Sequence, residues 1–172
     1  MKFEHLVQIN DPSLPGVDWL TRQQLWFGLV ARAWKPTRFI LGLEDAQVTQ
    51  TGQQGNVTTL SRVLNYGPFQ ITDTMELHEE ERTETRILAN QFCGDSTLTI
   101  SIEEPDQGEL WLRFQYQVSD APSTGDVPGA SSQDVDEIRK QAYRAADIDT
   151  VKMIRELAMT MPQQAPSGRK DH

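Results

Sequence analysis

The apolar positions of this chain change period twice. From Lys2 to Asn10 they alternate, with Phe3, His5, Val7 and Ile9 on one face, which predicts a strand. Turn formers follow in DPSLPG. From Thr21 to Lys35 the spacing becomes helical: Leu25, Leu29 and Ala33, with Trp26, Val30 and Trp34, recur at i, i+4. Thr21 and Gln24 stand at capping-box spacing, and Pro36 ends the helix. The run PTRFIL, 36–41, predicts a short second helix, with Pro at its first position and Gly42 after its end. Gly28, inside the first helix, costs about 1 kcal/mol relative to alanine. A close helix–sheet contact, a cavity entrance or simple tolerance would each account for it.

From Glu44 to Ser119 the period returns to two. Six strands are expected near 44–51, 57–66, 69–77, 82–92, 96–104 and 109–118. Their separators, GQQGN, YGPF, HEEE, CGDS and EPDQG, are short and turn-like, so the strands should form an antiparallel meander. Residues 119–132, rich in Ser, Pro and Gly, read as a flexible loop. Residues 133–161 are helical again. Val135, Ile138, Ala142 and Ala145 share one face, whereas Ile148, Val151, Ile154, Leu157, Ala158 and Met161 share a rotated one. That rotation predicts a kink or restart near ADID, with Asp147 as a cap. The order of elements predicts an α+β domain over 1–161, and residues 162–172 are expected to be a disordered tail.

The hairpin RVLNYGPFQITDTMEL, 62–77, contains an anomaly. Phe69, Ile71, Met75 and Leu77 share an apolar face, yet Asp73 stands among them. Gly67-Pro68 suits a two-residue type II′ turn, with Gly at the positive-φ position. That turn pairs Tyr66 with Phe69, Leu64 with Ile71 and Leu60 with Met75, and it sets Asn65, Ser61 and Thr59 opposite polar residues. The same register puts Arg62 opposite Asp73 on the inward face, close enough to touch. An inward ion pair is therefore expected, because an unpaired buried charge is costly. An ion-paired carboxylate is a poor general acid.

Charge narrows the classes. The net charge of −9, with no cluster of Lys or Arg, argues against nucleic acid and anionic membranes as partners. No run approaches about 18 apolar residues, and the N-terminus lacks the apolar stretch of a secretory signal. With a single cysteine, Cys93, this predicts a cytoplasmic protein without disulfides. His5, His78, His172 and Cys93 show no metal-ligand spacing, HEEE lacks the second histidine of a zinc motif, and no glycine-rich phosphate loop is present. No metal, nucleotide or other cofactor is expected.

Four segments, FEHLVQINDP, LTRQQLWFGLVARAWKPTRF, ITDTMEL and ADIDTVKMIREL, resemble the AtaL-like family of the START-like, birch-pollen-allergen-like (SRPBCC) superfamily. The resemblance implies a helix-grip fold: a curved, seven-stranded antiparallel sheet around a long C-terminal helix, with two short helices after the first strand. It also implies a cavity between sheet and helix for apolar small molecules. Fungal members occur in secondary-metabolite gene clusters, including those for sulfur-bridged diketopiperazines. No catalytic motif carries over, and relatives in the superfamily range from lipid carriers to cyclases, so the fold leaves the activity open.

The first functional reading is a small-molecule-binding protein for an apolar or aromatic metabolite, with Arg62, Asp73, Tyr66, Phe69, Met75, Phe114, Tyr116 and Trp26 as candidate ligand-binding residues. The second is a cofactor-independent cyclase, isomerase or dehydratase of secondary metabolism, with Asp73, His5 and Arg62 as weak catalytic candidates. The third is a protein-interaction module, including a homodimer through an exposed sheet edge or helix.

Overall fold

Alternation of inward apolar and outward polar residues builds one seven-stranded antiparallel sheet in the computed structural model, which describes residues 1–89, 94–119 and 132–161. The strands are β1 (Lys2–Gln8), β2 (Asp45–Gln54), β3 (Val57–Asn65), β4 (Gln70–His78), β5 (Arg82–Ile87), β6 (Ser96–Glu103) and β7 (Trp111–Val118). Their order across the sheet is β1-β7-β6-β5-β4-β3-β2. The six-strand meander is thus as expected, and β1 joins it beside β7. β5 ends at Ile87, earlier than its alternation suggested. Cys93, most of the Ser/Pro/Gly-rich loop and the 162–172 tail lie outside the described residues.

The β3–β4 turn sets the register that places the inward charges. Gly67 has φ +93°, a left-handed value that favours glycine, and Tyr66 N–H donates to the Phe69 carbonyl at 3.0 Å. Asn65 then pairs with Gln70, and Arg62 stands directly opposite Asp73.

Helix α1 (Arg22–Trp34) starts at the expected capping box: the Thr21 side chain accepts from Gln24 N–H, and the Gln24 side chain accepts from Thr21 N–H. Only Pro36–Arg38 of the expected second helix forms, as a single 3-10 turn closed by Phe39 N–H on the Pro36 carbonyl. Asn10 joins the segment that leads into α1 to the β6–β7 turn. Its amide donates to the Leu20 and Gly108 carbonyls and accepts from Leu20 N–H.

Helix α2 (Ser132–Thr160) runs unbroken through ADID, which corrects the expectation of a restart there with Asp147 as its cap. The rotation of its apolar face records a change of neighbour. Val151, Ile154 and Ala158 are buried in the main core with Ile9, Leu25, Leu29, Leu112 and Phe114. Ile138 and Ile148, by contrast, are exposed. A second core, of Ala33, Leu60, Met75 and Leu77, lies under α1 on β3 and β4. Gly28 is explained by α2 and not by the sheet, since a Cβ there would sit 2.5 Å from Ile154 Cγ2.

Candidate functional site: a cavity between sheet and helix

Where α2 leaves the main core, its facing residues become small. Ala142, Ala145 and Ala146 face a cavity of about 580 Å³ that the helix does not fill. The sheet supplies the opposite wall, including Leu64, Ile87, Leu98 and Val118. Phe39, Ile40 and Leu41, after α1, close one end. Leu41 is fully exposed and Ala145 and Ala146 are exposed, which marks the mouth. The lining is mostly apolar, and its polar groups gather in a few places.

The first polar group is the Arg62–Asp73 pair. Arg62 Nε donates to Asp73 Oδ1 at 2.8 Å and Nη2 to Oδ2 at 2.7 Å, a bidentate fork. Nη1 donates to the Ala33 carbonyl at 3.0 Å. That carbonyl lies in the last turn of α1, where main-chain acceptors lack helical partners. Both side chains are almost fully buried. The pair therefore ties α1 to the β3–β4 hairpin, and each nitrogen of the guanidinium is engaged.

The second group spans β7, α2 and β1. Tyr116 O–H donates a short hydrogen bond to Asp147 Oδ1, and His5 Nδ1 lies 3.1 Å from Asp147 Oδ2. Asp147 is 2% exposed, at mid-helix. Burial raises its carboxyl above the usual range, and the hydrogen bonds from Tyr116 and His5 partly offset this. Burial, then the neighbouring Asp147 charge, also lifts the Tyr116 hydroxyl well above its ordinary value. Tyr143 stacks on Tyr116 with ring centroids 4.1 Å apart, and both rings line the cavity.

The third group is Arg32, in the last turn of α1. It lines the cavity, and its Nε is buried without a hydrogen-bond partner among the described residues. Burial, then repulsion from Arg62, lowers its pKa below the usual guanidinium value. The Thr85 hydroxyl, on β5, also lines the cavity and is likewise unpartnered.

The structure separates the residues singled out in the sequence. Arg62, Asp73, Tyr66 and Tyr116 line the cavity. Phe69 stacks on Tyr66 at 5.0 Å, at the hairpin end, and is not part of the lining. Met75 and Phe114 are packed inside the two cores, and Trp26 lies against both. His5 reaches the site only through Asp147. Sequence reasoning missed Arg32, Tyr143 and the role of Asp147. The signal was present: Arg32 falls seven residues after Leu25, and Tyr143, Asp147, Val151, Ile154 and Ala158 follow one helical stripe. On the outer face of the sheet, His78 Nε2 lies 3.1 Å from Glu76 and 2.8 Å from Glu84, so the imidazole satisfies both carboxylates.

The family model for AtaL, "Acetylaranotin biosynthesis cluster protein L", matches residues 7–160, and the chain belongs to that family. No curated protein matches the sequence. Among solved structures, the fold is similar to the di-domain aromatase/cyclase StfQ of the steffimycin biosynthetic pathway, with TM-score 0.66 and 10% identity over 92% of this chain and 50% of that one. It is similar to the Zhui aromatase/cyclase of Streptomyces sp. R1128, with TM-score 0.55 and 14% identity over 92% and 93%. It is also similar to Ara h 8.0201, with TM-score 0.54 and 12% identity over 94% and 99%. The chain thus spans about half the length of the di-domain protein. At these identities the likeness defines the helix-grip fold. Among the described residues no helix is long and apolar enough to cross a membrane.

Proposed function

We propose that this protein binds a small, mainly apolar or aromatic metabolite of secondary metabolism in the cavity between the sheet and α2. The carrying observation is the cavity itself: about 580 Å³, apolar on most walls, with polar groups at defined points. Ligand pockets are built this way, at roughly 300–1,000 Å³. The family description, which names a biosynthetic cluster, supports the secondary-metabolism setting. Native mass spectrometry of protein purified from its own host should show a retained small molecule. Ala146→Trp, which fills the mouth, should abolish that signal while leaving the fold intact by circular dichroism. No retained ligand, followed by no binding across a metabolite panel, would sink the reading.

A second reading, as a cofactor-independent cyclase, isomerase or dehydratase, is favoured by one observation: the Tyr116–Asp147–His5 chain begins at the cavity wall. A proton taken from a substrate carbon by the Tyr116 oxygen would be balanced by passage of the hydroxyl proton to Asp147. A positioned relay of this kind contributes about 10²–10⁴-fold. Similarity to two aromatase/cyclases adds support. On this reading Tyr116→Phe and Asp147→Asn lose turnover while ligand binding persists. Unchanged turnover in both variants would remove the relay. The Arg62–Asp73 pair takes no part in this reading, because its donors are engaged within the protein.

A further inference from the structure

Native proteins rarely leave a buried donor without an acceptor, and a buried charge without a partner is costlier still. Arg32 is both. Its Nε is buried and unbonded, and no hydrogen bond or ion pair reaches its guanidinium among the described residues. The position of Arg32 in the last turn of α1 suits a cation, since the helix dipole is negative there. That contribution is small beside the cost of burial.

The charges around Arg32 do not quench it. Asp73 is held by both arms of the Arg62 fork. Asp147 is held by Tyr116 and His5. Both carboxylates act on Arg32 only at a distance, and Arg62 opposes them. Asp149 lines the cavity at its exposed side and makes no ion pair with Arg32 among the described residues. Among the described residues the guanidinium is therefore a positive charge without an ion-pair partner in a mainly apolar chamber.

We infer that Arg32 is the anchor for an acidic group, and that the cavity takes apolar monoanions: an aromatic or aliphatic body with a carboxylate, or an enolate or phenolate of the same charge. This rests on the ligand-binding reading above and narrows it to a substrate class. A guanidinium in a low-dielectric chamber pairs with a planar anion through two parallel N–H donors, and burial strengthens both bonds. The unpartnered Thr85 hydroxyl gives the chamber a second polar contact, suited to a hydroxyl or carbonyl on the ligand body.

The test uses two probes of equal shape, 2-naphthoate and 2-naphthamide, measured by calorimetry with the full chain at neutral pH. Wild type should prefer the acid by roughly 10- to 100-fold, the range of one charge-assisted contact. Arg32→Met and Arg32→Gln should erase that preference, with the acid losing far more affinity than the amide. The unliganded Arg32→Met protein should also melt a few degrees higher, because a buried, unsatisfied donor has gone. A merely structural arginine would give the opposite shift. Equal binding of acid and amide by wild type overturns the anchor and leaves the ligand-binding reading standing. Binding of neither probe, together with no ligand retained from the host, overturns both. Should Arg32→Met fail to fold, Arg32→Gln still decides, and an acid preference persisting in it removes Arg32 from the site.

Discussion

Two arginines face the same cavity and are treated in opposite ways. Arg62, on β3, spends Nε and Nη2 on Asp73 and Nη1 on the Ala33 carbonyl. Arg32, on α1, has a buried Nε with no acceptor among the described residues. Arg62 is almost fully buried and Arg32 is half-buried with a buried Nε, so exposure alone does not account for the contrast. What differs is whether the fold supplies the acceptor. Where it does, the charge is part of the framework, joining a helix end to a hairpin. Where the described residues supply none, a ligand can provide the acceptor. A pocket can thus keep one charge for its own architecture and hold a second in reserve for a ligand.

The largest effect that tests this contrast is on the closed pair. Asp73→Leu leaves Arg62 buried without its fork, which should cost about 3–5 kcal/mol. For a chain of this size that corresponds to a fall in Tm of roughly 6–20 °C. Arg62→Met combined with Asp73→Leu replaces the pair with apolar side chains of similar bulk and should recover most of the loss. What the double variant still lacks is the bond to the Ala33 carbonyl, about 1 kcal/mol. Denaturant unfolding of the full double-mutant cycle measures the coupling. If Asp73→Leu alone unfolds within about 1 kcal/mol of wild type by this cycle, well short of the loss expected for a broken buried pair, the pair is not the framework element described here and the contrast collapses.

A second, smaller effect tests why α2 divides into two halves. Gly28→Ala drives a methyl group to 2.5 Å from Ile154 Cγ2, in the packed half. Overpacking of this kind costs about 1–3 kcal/mol. Ala142→Val, in the cavity half, has space before it and should change stability by less than about 0.5 kcal/mol. Equal losses would mean that the cavity wall is as tightly packed as the core.

How far the sequence revealed this follows from which interactions are local. Strand alternation and a turn whose Gly67 needs positive φ determine pairing over a few residues, so the Arg62–Asp73 contact was readable from the chain alone. Asp147 was not, although it is the same anomaly in helical form, a carboxylate on a buried stripe. Its partners lie 31 and 142 residues away, on β7 and β1. No local spacing predicts that meeting, and the rotated apolar face was read as a break. Arg32 was hidden differently. An arginine on a helix is ordinarily solvated, and only the tertiary arrangement shows that its Nε is buried with no acceptor among the described residues. Phe114 and Met75 fall outside the cavity for a related reason: alternation shows that they point inward, but not whether inward means core or cavity.

The smallest effect concerns tyrosine ionisation. Tyr66, Tyr116 and Tyr143 all have hydroxyls raised above the ordinary value of about 10, in each case first by burial. A raised acid of this type contributes stability that is fully present below the unfolded pKa and is lost as pH rises beyond it. Stability should therefore fall above about pH 10, and Tyr116→Phe should flatten that fall. The two arginines then separate once more. The Arg32 charge lowers the Tyr116 pKa, partly opposing burial and Asp147. Arg62 is not among the groups acting on Tyr116, and at Tyr66 its effect is opposed by that of Asp73. Tyrosinate absorbance of folded protein should thus appear at still higher pH in Arg32→Met, while Arg62→Met with Asp73→Leu leaves the Tyr116 component in place. A shift of equal size in both variants would show that the Arg62 charge also reaches across the cavity, and that only one kind of arginine is present after all.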